Sequence, residues 1–139
     1  MALDVRTFIP QRYPFEMLDS LDQVTPGKSA QATKLVTINE WFFKRQQAPL
    51  AMPRPLVIEA LAQTGVAALL SMPEYEGQNV FFGGIKQATF QDDFRPGDCL
   101  TLQVQLVKIR HQIGVGHGVV IREGQEICAA DLIFVVTSA

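Results

Sequence analysis

Apolar and polar positions alternate strictly along the second half of the chain. Leu100, Leu102, Val104 and Leu106 fall on one face of an extended segment and Thr101, Gln103 and Gln105 on the other, the period-two pattern of a half-buried strand. Further strands are predicted at Val80 to Ile85, Gln87 to Gln91, Ile113 to Arg122 and Ile127 to Val136. Turn residues at Arg95-Pro96-Gly97-Asp98 and Glu123-Gly124-Gln125 punctuate them. Nearer the start, two mixed segments between Phe15 and Ile38 flank Thr25-Pro26-Gly27-Lys28, where proline presets φ and glycine tolerates positive φ, so a hairpin is expected. Asn39 to Arg54 is irregular, with Trp41, Phe42 and Phe43 followed by prolines at 49, 53 and 55, and reads as an ordered loop.

One segment breaks the strand pattern. From Pro55 to Ser71 the chain runs without a helix breaker, and proline suits a first helical turn because its missing N–H costs nothing there. This helix is apolar almost all round, so it must be enclosed, and a single sheet encloses it only by wrapping it or by pairing with a second copy. The expectation is an α+β domain over residues 1–139: a strongly curved antiparallel sheet around one central helix, with a homodimer as the natural consequence.

Composition narrows the function. The 139 residues include 12 basic and 14 acidic side chains, a net charge of −2, which supplies no field for nucleic acid or an anionic membrane. With 47% hydrophobic residues and mean hydropathy +0.13, the chain is far from disorder. As a helix of roughly 25 Å the apolar segment approaches membrane-spanning length, but Glu59 and Gln63 near its middle place it inside protein. The first ten residues carry Asp4 and break at Pro10 before an apolar run develops, unlike a secretory leader. Two cysteines and two histidines form neither a disulfide framework nor a four-ligand metal site; a reducing cytoplasm is expected, and Cys99 and Cys128 read as inert core residues.

Glu59 and Gln63, four apart, share one helix face. A carboxylate buried in an apolar helix without a basic partner in register has its pKa raised, which suits acid–base work near neutrality and makes Glu59 the leading candidate. The bland alternative is a glutamate satisfied by Gln63 or by backbone N–H groups. His111 and His117 read as structural residues at the start and middle of a late strand. Gly114, Gly116 and Gly118 lie in that strand context with no βαβ unit, against a dinucleotide loop. Asp131 is expected to face outward, isolated on its strand.

Five motifs occur in one order: Arg12-Tyr13-Pro14-Phe15, Val36-Thr37-Ile38-Asn39-Glu40 followed by Phe42-Phe43, Met52-Pro53, Ile58-Glu59-Ala60-Leu61-Ala62-Gln63, and Phe94-Arg95-Pro96-Gly97-Asp98. In order and spacing they resemble the (3R)-hydroxyacyl-acyl carrier protein dehydratases of bacterial fatty-acid synthesis, from about Phe8 to Val136. The resemblance implies the hot-dog fold, dimers or trimers of dimers, no metal or cofactor, and 3-hydroxyacyl thioesters as substrates. In that family a histidine and a glutamate share the dehydration. The glutamate corresponds to Glu59 and a neighbouring glutamine to Gln63. The histidine's position, in a loop one residue shorter here, holds Gln46, whose neutral amide takes up no proton at physiological pH. The glycine whose N–H holds the thioester oxygen corresponds to Arg54, followed by Pro55. Phe43, Met52, Gln46, Gln63 and Arg54 are the implied substrate-binding residues. Lys44, Arg45 and Arg54 gather around this loop, either as a solvated basic rim or as a docking patch for an acidic acyl carrier protein or coenzyme A phosphates, with Lys44 and Arg45 the docking candidates.

Three functions follow from these residues: a dehydratase-like enzyme using Glu59, an acyl thioesterase in which Glu59 activates water, and a non-catalytic acyl-thioester or carrier-protein binding subunit, with or without an active paralogue.

Overall fold

The protein was analysed as a computed structural model, which describes residues 3–137. A short helix α1 (Val5–Phe8) precedes the hairpin β1 (Ser20–Thr25) and β2 (Ser29–Leu35). A 3-10 turn at Trp41–Phe43 and a loop then lead into the long helix α2 (Arg54–Leu70). Four strands follow a second 3-10 turn: β3 (Asn79–Phe90), β4 (Cys99–Arg110), β5 (Ile113–Arg122) and β6 (Gln125–Thr137). All six strands form one antiparallel sheet in the order β1-β2-β4-β5-β6-β3. The hairpin turns as expected, with Gly27 at φ +72 and the Lys28 N–H donating to the Thr25 carbonyl at 2.9 Å.

Helix α2 starts one residue before Pro55, and 12 of its 17 residues are buried. Its small side chains let the sheet come close. Gly116 and Gly118 of β5 lie under it, where an added Cβ would stand 3.2 Å from the Phe134 ring and from Leu61. The glycines that invited a nucleotide reading are thus sites of close packing. Leu61, Leu69, Leu102, Leu132 and Phe134 are completely buried between helix and sheet, each such side chain worth about 1.5–3 kcal/mol of transfer free energy.

The two strands expected at Val80 to Ile85 and Gln87 to Gln91 are one. Register shifts between Phe82 and Gly84 and between Ile85 and Gln87 absorb extra residues while the ladder to β6 continues, which is how a β-bulge acts; the breaks in sequence alternation are bulges, not ends. Strand β4 also runs four residues past Leu106, with a shift between Leu106 and Lys108. His111 lies in the β4–β5 turn at φ +53, not in a strand. Cys99 is exposed, contrary to its expected core role, while Cys128 is buried and that burial pushes its thiol up to about 11. Strand β3 is a sheet edge, and Phe81 and Ile85 on it are exposed.

The tightest helix–sheet contact gives a test. A Cβ on Gly65 would sit 2.5 Å from Phe134 Cζ, so Gly65→Ala is expected to lose about 1–3 kcal/mol by overpacking. Urea unfolding reads this directly; an unchanged midpoint would contradict the packing described.

Candidate active site

The N-terminal half of α2 carries the candidate residues. Pro53 caps the helix and Pro55 lies in its first turn; the Pro53 carbonyl accepts from the Leu56 N–H at 2.9 Å and the Val57 N–H at 3.3 Å, and the helix dipole favours negative charge near this end. Leu56, Glu59 and Gln63 stand at i, i+3 and i+7 and so share one face. That face meets the segment 13–17. The Gln63 amide donates to the Phe15 carbonyl and, at 3.1 Å, to Glu59 Oε1, while its oxygen accepts from the Met17 N–H at 2.9 Å. Gln63 is 1% exposed, so these three bonds satisfy an amide removed from water. Glu59 is only half-buried, which corrects the enclosure expected of it: its face of the helix is the one the sheet leaves open. The contact with Gln63 satisfies Glu59 Oε1, as the bland alternative has it.

The loop before the helix is pinned by Gln46. Its Nε2 donates to the Phe42 carbonyl at 2.9 Å and its Oε1 accepts from the Ala51 N–H at 3.1 Å. Both ends of the amide therefore bind backbone, and the side chain staples residues 42 and 51 together. Trp41 is anchored as well: its Nε1 donates to the Pro14 carbonyl at 3.2 Å, and its ring meets Phe15 and Phe42 edge-on at centroid separations of 6.1 and 5.5 Å. Beneath this turn Lys34, 5% exposed, pairs with Glu40, whose other oxygen accepts from the Thr37 N–H at 3.0 Å. A buried cation of this kind requires such a partner.

A cavity of about 590 Å³ opens between the turn and the helix, lined by Trp41, Phe42, Lys44, Arg45, Pro53 and Leu56. It lies one helical turn from Glu59. Lys44 and Arg45 are at its rim, exposed. Phe43 and Met52, expected to touch substrate, are instead 4% and 2% exposed within the core. Phe43 packs its ring on Phe42 at 4.7 Å, and the Met52 N–H donates to the Phe94 carbonyl at 2.7 Å. Arg54 also leaves the expected group: its guanidinium lies 4.8 Å over the Phe90 ring and bridges to Asp93 at 3.3 Å, away from Lys44 and Arg45. The cause is the acidic pair Asp92-Asp93, a signal present in the sequence but not weighed there.

That acidic pair is also held by Arg122, whose guanidinium donates to Asp92 at 2.6 Å, to the Asp93 carbonyl at 2.9 Å and to Asp98 at 3.0 Å. The Asp92 bond chiefly raises the Arg122 pKa and, from the other side, lowers that of Asp92. Through Phe94 this loop reaches Met52, and so positions the start of α2. His117 and Asp131 were read as unrelated residues, yet they are cross-strand neighbours on β5 and β6 with Nδ1 and Oδ1 2.8 Å apart. They lie on the outer face of the sheet, remote from the cavity. Among the described residues no group of three or more His, Cys, Asp or Glu is placed to hold a metal, and no helix is long and apolar enough to cross a membrane.

An antiparallel sheet wrapped on one long helix is the hot-dog fold. Residues 9–131 match the family profile described as a FabA-like domain. The chain is 43% identical over 134 residues to the 3-hydroxyacyl-[acyl-carrier-protein] dehydratase FabZ of Ligilactobacillus salivarius, covering 96% of both chains. It is 45% identical to that of Roseiflexus castenholzii, covering 94% of this chain and 92% of the relative. Among solved structures it is similar to the dehydratase heterocomplex ApeI:P from Xenorhabdus doucetiae, with TM-score 0.84, 16% identity, and coverage of 98% of this chain and 92% of that one. A second similar structure is smu.793 from Streptococcus mutans bound to acetyl CoA, with TM-score 0.72, 16% identity, and coverage of 94% and 96%. The chain belongs to the FabZ 3-hydroxyacyl-[acyl-carrier-protein] dehydratase family and has its hot-dog fold.

The Arg122 cluster has a pH signature. Because the folded-state pKa of Asp92 is depressed, its contribution is present above the ordinary value of about 4 and is lost as pH falls through the folded value. The stability gap between wild type and Arg122→Gln, measured by thermal unfolding, should be full at neutral pH and shrink with acidification below about pH 4. A gap independent of pH would refute the pairing.

Proposed function

We propose that this chain binds 3-hydroxyacyl or 2-enoyl thioesters in the cleft over Leu56 and Glu59, and that it retains the acid half of dehydratase chemistry without the base half. Elimination of water needs the α C–H bond to break, its electrons to form the double bond, and the β-hydroxyl to leave with a proton. Glu59 is the proton donor to the departing oxygen. No side chain takes the α-proton, which passes slowly to solvent water, and the observation that carries the reading is the state of Gln46: an amide with both ends bonded to backbone neither takes a proton nor turns toward a substrate. Pro55 has no N–H and the Leu56 N–H bonds the Pro53 carbonyl at 2.9 Å, which leaves the Arg54 N–H as the first-turn donor for the thioester oxygen.

Lys44 and Arg45 at the rim suit the phosphate on the arm of an acyl carrier protein or coenzyme A. Support for the carrier protein comes from the FabZ relatives, whose name specifies it. A second copy of the chain, docked along β3, completes the assembly in this reading: β3 is an edge strand with exposed Ile85 and Ala88, an unprotected edge of the kind that pairs with another chain. Two unpaired cysteines are consistent with a cytoplasmic setting.

The decisive assay follows enoyl-thioester absorbance with 3-hydroxyacyl thioesters. Wild type is expected to turn over slower than a histidine-bearing FabZ by roughly 10²–10⁴, the usual contribution of a positioned acid–base group. Gln46→His alone should stay in the same low range, because position 46 points into its own loop. Glu59→Gln should abolish what remains while thioester binding persists. Turnover at the rate of the relative would overturn the reading. Charge reversal of Lys44 and Arg45 together should weaken thioester binding and make it less sensitive to salt, read by calorimetry.

A further inference from the structure

Trp41 is the chain's single tryptophan, and its surroundings give it a task. Three contacts fix its ring: the hydrogen bond to Pro14 and the edge-on contacts with Phe15 and Phe42. Its backbone is seated by the buried Lys34–Glu40 pair directly before it. It is nevertheless 38% exposed, and the open part of the ring lines the cavity that also holds Leu56, three residues before Glu59. A large side chain locked by packing and hydrogen bonding, with a free face on a cavity, is a wall that does not yield to a ligand. The cavity is also polarised: Trp41, Phe42, Pro53 and Leu56 form apolar sides, and Lys44 and Arg45 form the cationic rim. An acyl chain is apolar, and the aromatic side is the part of this cavity that matches it.

We infer that Trp41 is a specificity-determining residue of this cleft, the wall against which the acyl chain ends, so that short 3-hydroxyacyl and 2-enoyl chains are accepted and long ones turned away. The inference rests on the thioester-binding reading above and goes beyond it in naming the acyl class and the residue that selects it. Trp41 acts by shape alone and takes no part in bond making.

The single tryptophan makes the test direct. Titration of wild type with crotonyl-coenzyme A and with trans-2-dodecenoyl-coenzyme A, followed by Trp41 fluorescence and by calorimetry, should show a preference for the four-carbon chain of at least about tenfold, the discrimination expected when a pocket lacks room for even one methylene. In the series Trp41→Phe, Trp41→Leu and Trp41→Ala, followed by calorimetry, the ratio of long-chain to short-chain affinity should climb step by step, by tenfold or more at alanine. A residue that merely supported the fold would shift both affinities together and leave the ratio unmoved, and that result would overturn the inference. The phenylalanine and leucine variants keep an apolar side chain in the seat, so the series remains readable if alanine does not fold. If wild type binds the two thioesters equally, or prefers the long one, the inference fails while thioester binding stands. If it binds neither, the thioester-binding reading fails and this inference with it.

Discussion

Everything in this molecule is arranged around an apolar helix that has almost no polar face to show to water. Of its 17 residues 12 are buried, and the sheet covers them by bringing β5 so close that a Cβ on Gly116 or Gly118 would crowd Val104, Phe134 or Leu61. One strip is left uncovered by the sheet, along Leu56, Glu59 and Gln63. Segment 13–17 and the Trp41 turn close over part of that strip through bonds made by Gln63 and Trp41. What remains open is the cleft. The constraint that builds the core therefore also places the one helix carboxylate beside the one stretch of helix where a ligand has access.

The loops at the start of the helix are held by long polar side chains. Gln46 spends its amide on the backbone of residues 42 and 51. Arg54 spends its guanidinium on Phe90 and Asp93. Each ties down a loop beside the helix start. The two loops are also joined, since the Met52 N–H bonds to the Phe94 carbonyl and Arg122 fixes the segment around Phe94 through Asp92 and Asp98.

Much of this was legible in the chain. Strict alternation from Leu100 onward, the Pro-Gly turn at 26–27 and the uninterrupted apolar run after Pro55 lead to the sheet, the hairpin and the helix, because each depends on local periodicity. The motifs around Glu59 lead to the family. Features that depend on distant partners were not legible. The bulges that join the two halves of β3 exist only against β6, and the His117–Asp131 pair only through the β5–β6 register. Phe43 and Met52 were assigned to the cleft from motif position, but a neighbour in sequence to the site is as readily directed inward. The cation cluster of Lys44, Arg45 and Arg54 dissolved because Asp93, 39 residues away in sequence, captures Arg54.

The central claim is that the cleft holds an acid and no base, and it bears on a single bond. Incubation of the protein with a saturated acyl thioester in deuterium oxide, followed by mass spectrometry of the acyl group, measures α-proton abstraction without requiring dehydration. The account predicts α-deuteration slower than that by a histidine-bearing FabZ by roughly 10²–10⁴, and unchanged in Glu59→Gln. Incorporation that depends on Glu59 would contradict it, by making Glu59 itself the base.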